Sequence, residues 1–313
     1  MSVELFSHDE PVLVVVGPTA IGKTALSLAI AERYNCEIIS LDSMQVYRYM
    51  DIGTAKASLQ ERQQIPHHLI DVVEPDEHYD ANRFVSDALS ALQKIKSRGK
   101  ISLITGGTGL YLRALTEGLF EGEAHHPELR EQLRQRFDRE GCSKLHEELM
   151  LIDRNSAIKI HKNDKHRLLR ALEIYYATGK NWSEHLDLQS KNRKPSRFTK
   201  ILKIGLTCDR ETLYQRINKR TSYMLQSGLK EETLALLKRG YGRDLKPMQA
   251  IGYRHMIGHL YDNWSMDETE RLLARDTRRY AKRQYTWFKK MDIDWIEVSR
   301  ENEIFSKITS FLS

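Results

Sequence analysis

Eight consecutive residues, Gly17-Pro18-Thr19-Ala20-Ile21-Gly22-Lys23-Thr24, constrain this chain more than any other stretch. They follow a continuous apolar, β-branched run, Val12 to Val16, which reads as a buried parallel strand. They open a helix-forming stretch that runs from Thr24 to about Tyr34. Strand, G-x-x-x-x-G-K-[ST] and helix together make a phosphate-binding loop. The glycines let backbone N–H groups turn inward around phosphate oxygens, and the helix N-terminus adds partial positive charge. Lys23 brings a full charge to the terminal phosphates, and the Thr24 hydroxyl is offered to Mg²⁺. A glycine turn without a ligand is the bland alternative, and the strand-and-helix context argues against it.

Further apolar runs sit at Glu37–Leu41, Ile101–Ile104, Ile201–Thr207 and Trp295–Val298, alternating with helical patterns. That alternation predicts an α/β fold, a P-loop NTPase-like core on a parallel sheet. Asp209 is placed to cap the helix that follows Thr207. From about Glu121 to Ser190 no strand is evident. Pro127 suits a first helical turn, and Leu129, Leu133 and Phe137 recur at helical spacing, as do Leu145, Leu149 and Ile152. Leu168, Leu169, Leu172 and Tyr176 repeat the pattern and stop at Gly179. The expected domains are therefore a core of residues 1–120 and 200–313, carrying C-terminal helices, and an all-helical insertion of 121–199.

With 313 residues and 40% hydrophobic content the chain can bury a large core. No apolar run approaches the ~20 residues of a membrane-spanning helix. Cys36, Cys142 and Cys208 are far apart and form no C-x-x-C pair, which argues against a zinc site or a disulfide framework and for a reducing compartment. His67-His68 and His161/His166 read as core or surface histidines in the absence of a cysteine or acid cluster at ligand spacing.

A phosphate loop identifies a polyphosphate, not a reaction. A motor ATPase usually has a second strand ending in an acid, yet the Ile101–Ile104 strand runs into Thr105-Gly106-Gly107. The strand-end carboxylate nearest the loop in sequence is Asp42, which begins Asp42-Ser43-Met44-Gln45-Val46-Tyr47, with Asp51-Ile52-Gly53-Thr54-Ala55-Lys56 shortly after. Acid, hydroxyl, amide and phenol cluster at the carboxyl end of a strand, where open α/β sheets bind ligands. From the residues alone Asp42 is open to three readings: a general base, an outer-shell Mg²⁺ ligand or a helix N-cap.

These blocks, with Pro66–Asp71, Gly106–Tyr111, Arg167–Glu173, Ala250–Arg254 and Ala281–Phe288, resemble the tRNA dimethylallyltransferase family in order and spacing over nearly the whole chain. One departure is Ile21, where a small or polar residue is usual. The resemblance implies transfer of a dimethylallyl group from dimethylallyl diphosphate to N6 of adenosine-37, beside the anticodon of tRNA. It implies Mg²⁺ as cofactor, ATP binding at the level of the fold only, a cytoplasmic monomer and no membrane partner. Gly17, Pro18, Thr19, Ala20, Ile21, Gly22, Lys23 and Thr24 would then hold the departing diphosphate, with Thr24 on Mg²⁺ and Arg216 assisting. Asp42, Thr108 and Arg220 would carry catalysis. Asp42, Ser43, Met44, Gln45 and Thr108 would line the path of the tRNA. So would His166, Arg167, Leu168, Leu169, Arg170, Gln249, Ala250, Ile251, Gly252, Tyr253, Arg254, Lys282 and Arg283, with Arg130 reaching the tRNA from the insertion. Arg216 and Arg220 lie four apart on one helix and can face the same way; as residues alone they also read as solvated arginines.

The formal charge of +6 is unevenly spread. Lys191–Lys203 holds six basic residues and no acid, and Arg271–Lys290 holds eight against Asp276, so the rest of the chain is acidic. In the second stretch Arg271, Arg275, Arg278, Lys282 and Lys289 follow a heptad-like stripe near Tyr280, Tyr285 and Trp287. Basic residues with aromatic neighbours point to nucleic acid, although a charge run is often only a solvated face. Two rivals remain: a P-loop kinase of a small metabolite, which predicts phosphate transfer from ATP, and a non-catalytic RNA-binding module, in which Asp42 is dispensable.

Overall fold

The computed structural model describes residues 8–118, 126–191 and 196–313, in two compact units. The larger unit takes residues up to Thr116 and from Ser196 onward; the smaller is Glu117–Pro195.

The larger unit begins β1 (Val12–Val16), α1 (Lys23–Arg33), β2 (Cys36–Leu41), α2 (Leu59–Gln64), β3 (His67–His68), α3 (Ala81–Ser97), β4 (Ile101–Gly106) and α4 (Gly109–Glu117). The smaller unit contributes α5 (Pro127–Ile152), α6 (Arg154–Lys159), α7 (Lys165–Thr178) and α8 (Trp182–Lys191). The chain then returns with β5 (Ile201–Thr207), α9 (Arg210–Gln226), α10 (Leu229–Lys238), α11 (Tyr253–Tyr261), α12 (Met266–Phe288), β6 (Asp294–Glu297) and α13 (Glu301–Leu312). The strand and helix expectations stand to within a few residues. The two-residue β3 was not expected, because a pair of histidines after a proline carries no strand periodicity.

All six strands are parallel, in the order β3-β2-β4-β1-β5-β6. Every residue of β1 and β2 is buried, as strands of a sheet covered on both faces are, Glu37 and Ser40 of β2 included. Register sets the site. Val16 and Leu41 both pair with Gly106, so β1, β4 and β2 end side by side at one level. The residues that follow them, Gly17, Gly107-Thr108 and Asp42, therefore emerge together at the carboxyl edge. Gly106 is glycine because a Cβ there would fall on the Leu41 carbonyl.

Helix ends follow local chemistry. Asp209 caps α9 by accepting from the Thr212 N–H at 2.8 Å, an arrangement worth about 1 kcal/mol. In the smaller unit Pro127 sits in the first turn of α5, Gly179 ends α7 in the left-handed conformation, and Gly141 interrupts α5 with φ 82°. Leu133, Leu145, Leu149, Leu168, Leu169 and Leu172 form this unit's own core.

Candidate functional site

A cavity of about 410 Å³ opens at the carboxyl edge of the sheet in the larger unit. One wall is the phosphate loop. Gly17 (φ 157°) and Gly22 (φ 112°) turn the backbone, and Gly22 stands immediately before α1. Ile21 is fully buried with its side chain in the core, so the unusual residue packs inward and its carbonyl accepts from Arg216 Nη1 at 2.8 Å. Lys23 Nζ donates to the carbonyls of Gly17 (3.0 Å) and Pro18 (2.7 Å). Burial, with Arg220 nearby, pushes its pKa down to about 7, against an opposing pull from Asp42. Thr24 is exposed and lines the cavity.

Across from the loop, Asp42 Oδ1 accepts from the N–H groups of Met44 (2.8 Å) and Gln45 (3.3 Å). These bonds close a turn; no helix starts at Asp42, so the helix N-cap reading is withdrawn. Burial raises the Asp42 pKa, and the two N–H donors, Lys23 and Arg220 oppose the rise. Arg220 also lines the cavity, its guanidinium pKa lowered by burial and supported by Asp42. The Ser43 N–H donates to Thr108 Oγ1 at 3.1 Å, which ties the β4 turn to the Asp42 turn. Gln45 reaches Ser40, whose hydroxyl donates to Gln45 Oε1 at 2.9 Å, while Gln45 Nε2 donates to the carbonyls of Thr54 and Ala55.

Among the lining residues not expected at the site, two come from α12. Gln284 of α12 accepts from the Thr19 N–H (2.8 Å) and donates to the Gly107 carbonyl (3.0 Å), joining the phosphate loop to the β4 turn. Tyr280, one helical turn before it, lies in the same cavity beside Thr108 and Gln284. Both lie in a stretch read for its charge, its aromatic neighbours and its family resemblance but given no role for these two side chains, and Gln284 is a polar residue in the buried stripe Thr277, Ala281, Gln284, Phe288. Buried glutamine at a core position was the available signal.

The residues expected to meet tRNA divide. Lys282 and Arg283 are exposed on α12, and Gln249 is exposed in the turns before α11. Ala250 and Ile251 are half-buried, Gly252 is buried, and Tyr253 is buried with its hydroxyl on Glu232. Arg254 donates to Asp276 at 2.6 Å. In the smaller unit His166 and Arg167 are exposed, while Arg130 and Arg170 both pair with the buried Glu173, at 3.4 and 3.0 Å. Leu168 and Leu169 belong to that unit's core, and Tyr253 to the larger unit's interior, so none of the three offers a side chain to a ligand.

The basic stretches are also less uniform than expected. Arg254, Arg275 and Arg279 converge on Asp276, and Arg271 pairs with Glu268. Lys191–Lys203 splits: Arg193 and Lys194 lie outside the described residues, as does the Lys191 side chain, Arg197 is half-buried, and Lys203 sits within β5. His67 and His68, considered as ligands, are held by the Ile65 carbonyl and by Glu37, each at 2.7 Å.

The IPP transferase family pattern matches residues 45–291. The tRNA dimethylallyltransferase of Desulfotalea psychrophila is 52% identical, over 97% of this chain and 96% of its own length. Another from Syntrophus aciditrophicus is 46% identical over 98% of both chains. The solved tRNA isopentenylpyrophosphate transferase of Staphylococcus epidermidis is 39% identical with a TM-score of 0.68, covering 96% of this chain and 99% of that one. A eukaryotic dimethylallyltransferase solved acting on tRNA gives a TM-score of 0.76 at 30% identity, over 92% of this chain and 74% of its own. A phosphate loop, a strand-end aspartate and a glycine turn meeting at one sheet edge thus occur here in a chain that belongs to the IPP transferase family, the tRNA dimethylallyltransferases.

Proposed function

We propose that the cavity transfers a dimethylallyl group from dimethylallyl diphosphate to N6 of adenosine-37 in tRNA, giving N6-(dimethylallyl)adenosine and diphosphate. The observation that carries this reading is the meeting of Lys23, Arg220, Asp42 and the Thr108 turn around one space. An exocyclic adenine amine is a weak nucleophile, because its lone pair is delocalised into the ring. It needs a leaving group whose developing charge is neutralised and a base for its proton.

The phosphate loop and Arg220 answer the first need, with Arg216 steadying the loop at Ile21. Lys23, now on the loop's own carbonyls, turns to the diphosphate when it binds. As the N6 lone pair forms the bond to the allylic carbon, the carbon–oxygen bond breaks and its electron pair leaves on the diphosphate. The N6 proton passes to the Asp42 carboxylate, whose Oδ1 is fixed by two backbone donors. Thr108, its oxygen accepting from Ser43 and its side chain hydrogen-bonded to Tyr280, is held at the turn where the adenine would sit. The reacting base must leave the anticodon stack to enter. Lys282, Arg283, Gln249, Arg167 and His166 support tRNA contact as exposed polar groups, and Arg130 and Arg170 do so with their charge shared by Glu173.

The donor set fits a Mg²⁺ carried on diphosphate oxygens. Thr24 supplies one accessible hydroxyl, and no group of three or more His, Cys, Asp or Glu among the described residues is placed to hold a metal alone. Bound there, Mg²⁺ would neutralise charge on the leaving diphosphate. The reading includes a monomer, and the tRNA substrate supports the cytoplasm. No helix of the described residues is long and apolar enough to cross a membrane.

The test is incubation with dimethylallyl diphosphate, Mg²⁺ and unmodified tRNA, followed by mass analysis of the nucleosides. Prenylated adenosine is expected. Its absence, with label from γ-labelled ATP appearing in a small molecule, would establish the kinase reading instead.

A further inference from the structure

One carboxylate far from the cavity in sequence holds its wall. Glu232, in the first turn of α10, accepts from three successive backbone N–H groups: Asp51 (3.0 Å) and Ile52 (2.8 Å) on Oε2, and Gly53 (3.0 Å) on Oε1. Oε1 also accepts from the Tyr253 hydroxyl at 2.6 Å. No Lys, Arg or His among the described residues pairs with Glu232, so four neutral donors hold its charge. Consecutive N–H groups turned to one point form an anion-binding concavity, and here a side chain of the same chain fills it. The fit is close: a Cβ at Gly53 would lie 2.5 Å from the Tyr253 ring.

The held loop continues into Thr54, Ala55 and Ala57, which line the cavity. Ala55 is kept at φ 46°, a conformation an L-residue adopts only when its surroundings fix it. The Thr54 and Ala55 carbonyls receive Gln45 Nε2 (3.4 and 3.3 Å), and the Gln45 N–H donates to Asp42 Oδ1. A continuous chain of hydrogen bonds thus runs from Glu232 through residues 51–55 and Gln45 to Asp42.

We propose that Glu232 is a positioning residue for the transfer reaction: it fixes the 51–57 wall and, through Gln45, the turn that presents Asp42. The proposal rests on the prenyl-transfer reading for its kinetic consequence and on geometry alone for its structural one. Purely local stabilisation by Glu232 would lower the melting temperature and leave each folded molecule fully active.

The experiment compares the wild type with Glu232→Gln, which keeps the volume and one acceptor oxygen but sets an NH₂ against N–H donors, and with Tyr253→Phe, which removes one of the four donors. Expected for Glu232→Gln are a kcat at least about tenfold lower with tRNA affinity within about twofold, as small misplacements of reacting groups produce. Tyr253→Phe should fall between it and the wild type. Hydrogen exchange gives a readout that needs no activity: the amides of residues 51–53, and also of Met44 and Gln45, should exchange at least about tenfold faster in Glu232→Gln. Unchanged kcat per folded molecule would overturn the proposal, as would faster exchange confined to 51–53. Should the wild type itself transfer no prenyl group, the reaction assignment falls, and exchange at Met44 and Gln45 alone then decides whether Glu232 positions the Asp42 turn.

Discussion

Lys23 and Asp42 face each other across one cavity with their pKa values displaced toward one another, the lysine down to about 7 and the aspartate up. Burial drives both, because it disfavours whichever form is charged. In the unfolded chain Lys23 regains its value near 10.5, so between about 7 and 10.5 the unfolded state binds the extra proton and this group makes ligand-free stability rise with pH. Diphosphate reverses the preference by pairing with the ammonium. Diphosphate binding at pH 8 should therefore draw in a proton at Lys23. Calorimetry in two buffers of different ionisation enthalpy measures the uptake, and Lys23→Arg, whose charge does not titrate, should show less; equal uptake would remove Lys23 from the phosphate contact. As the proposed general base Asp42 must be deprotonated, so kcat should rise with pH through an apparent pKa above the ordinary carboxylate value of about 4. Asp42→Ala should lose transfer by a factor of about 10² or more while tRNA binding is largely retained, as nucleoside analysis and a binding titration would show; unchanged transfer would dismiss the general base. Both residues were legible in the sequence, one from a motif and one from its place at a strand end. Gln45's amide bonds and Glu232 were not, since each acts through partners that no local spacing encodes.

The elements explain why the glycines of Gly106-Gly107-Thr108-Gly109 are present. None of them has a positive φ among the described residues, so turn conformation is not the cause. Close approach is. A Cβ at Gly107 would fall on the Gln284 amide, and one at Gly109 on the Trp287 ring, both on α12. The β4 turn and α12 therefore interlock, and Gln284 spans from that turn to Thr19 of the phosphate loop. Gly109→Ala should cost about 1–3 kcal/mol, the range for overpacking, read as a lower melting temperature. Gln284→Ala should weaken diphosphate binding more than it lowers melting, because it unties Thr19 while leaving the apolar neighbours Ala281 and Phe288 in place. A melting loss in Gln284→Ala as large as that of Gly109→Ala, with diphosphate affinity intact, would make Gln284 a packing residue only. The strands other than β3, with Asp209, Pro127 and Gly179, could be read in advance because each is a local event with a local signal. The interlock could not, because its halves are 177 residues apart.

At the scale of the whole molecule the charge distribution changes meaning once pairing is seen. In sequence, Arg271–Lys290 is one cationic strip. In the folded larger unit most of its first half is ion-paired: Arg271 with Glu268, and Arg275 and Arg279 with Asp276, which also takes Arg254, while Arg278 donates to the Asn218 amide. Asp276 is held down to about pKa 2 despite the opposing effect of burial, with Arg275, Arg254 and His255 stabilising its charge, so it stays ionised throughout the working pH range. The second half differs. Lys282, Arg283, Lys289 and Lys290 are exposed and form no ion pair among the described residues, and the Arg283 guanidinium lies over the Tyr280 ring at 5.7 Å. Exposed unpaired cations release counterions from a nucleic acid, whereas a cation already paired with a carboxylate gains less by exchanging it for a phosphate. The salt dependence of tRNA binding should therefore map to the C-terminal half of α12. Lys282→Ala and Arg283→Ala should each reduce the slope of log K against log salt by about 1, while Arg271→Ala leaves it nearly unchanged. Binding titrations at a series of salt concentrations give both slopes, and an equal loss at Arg271 would return the whole strip to the RNA footprint.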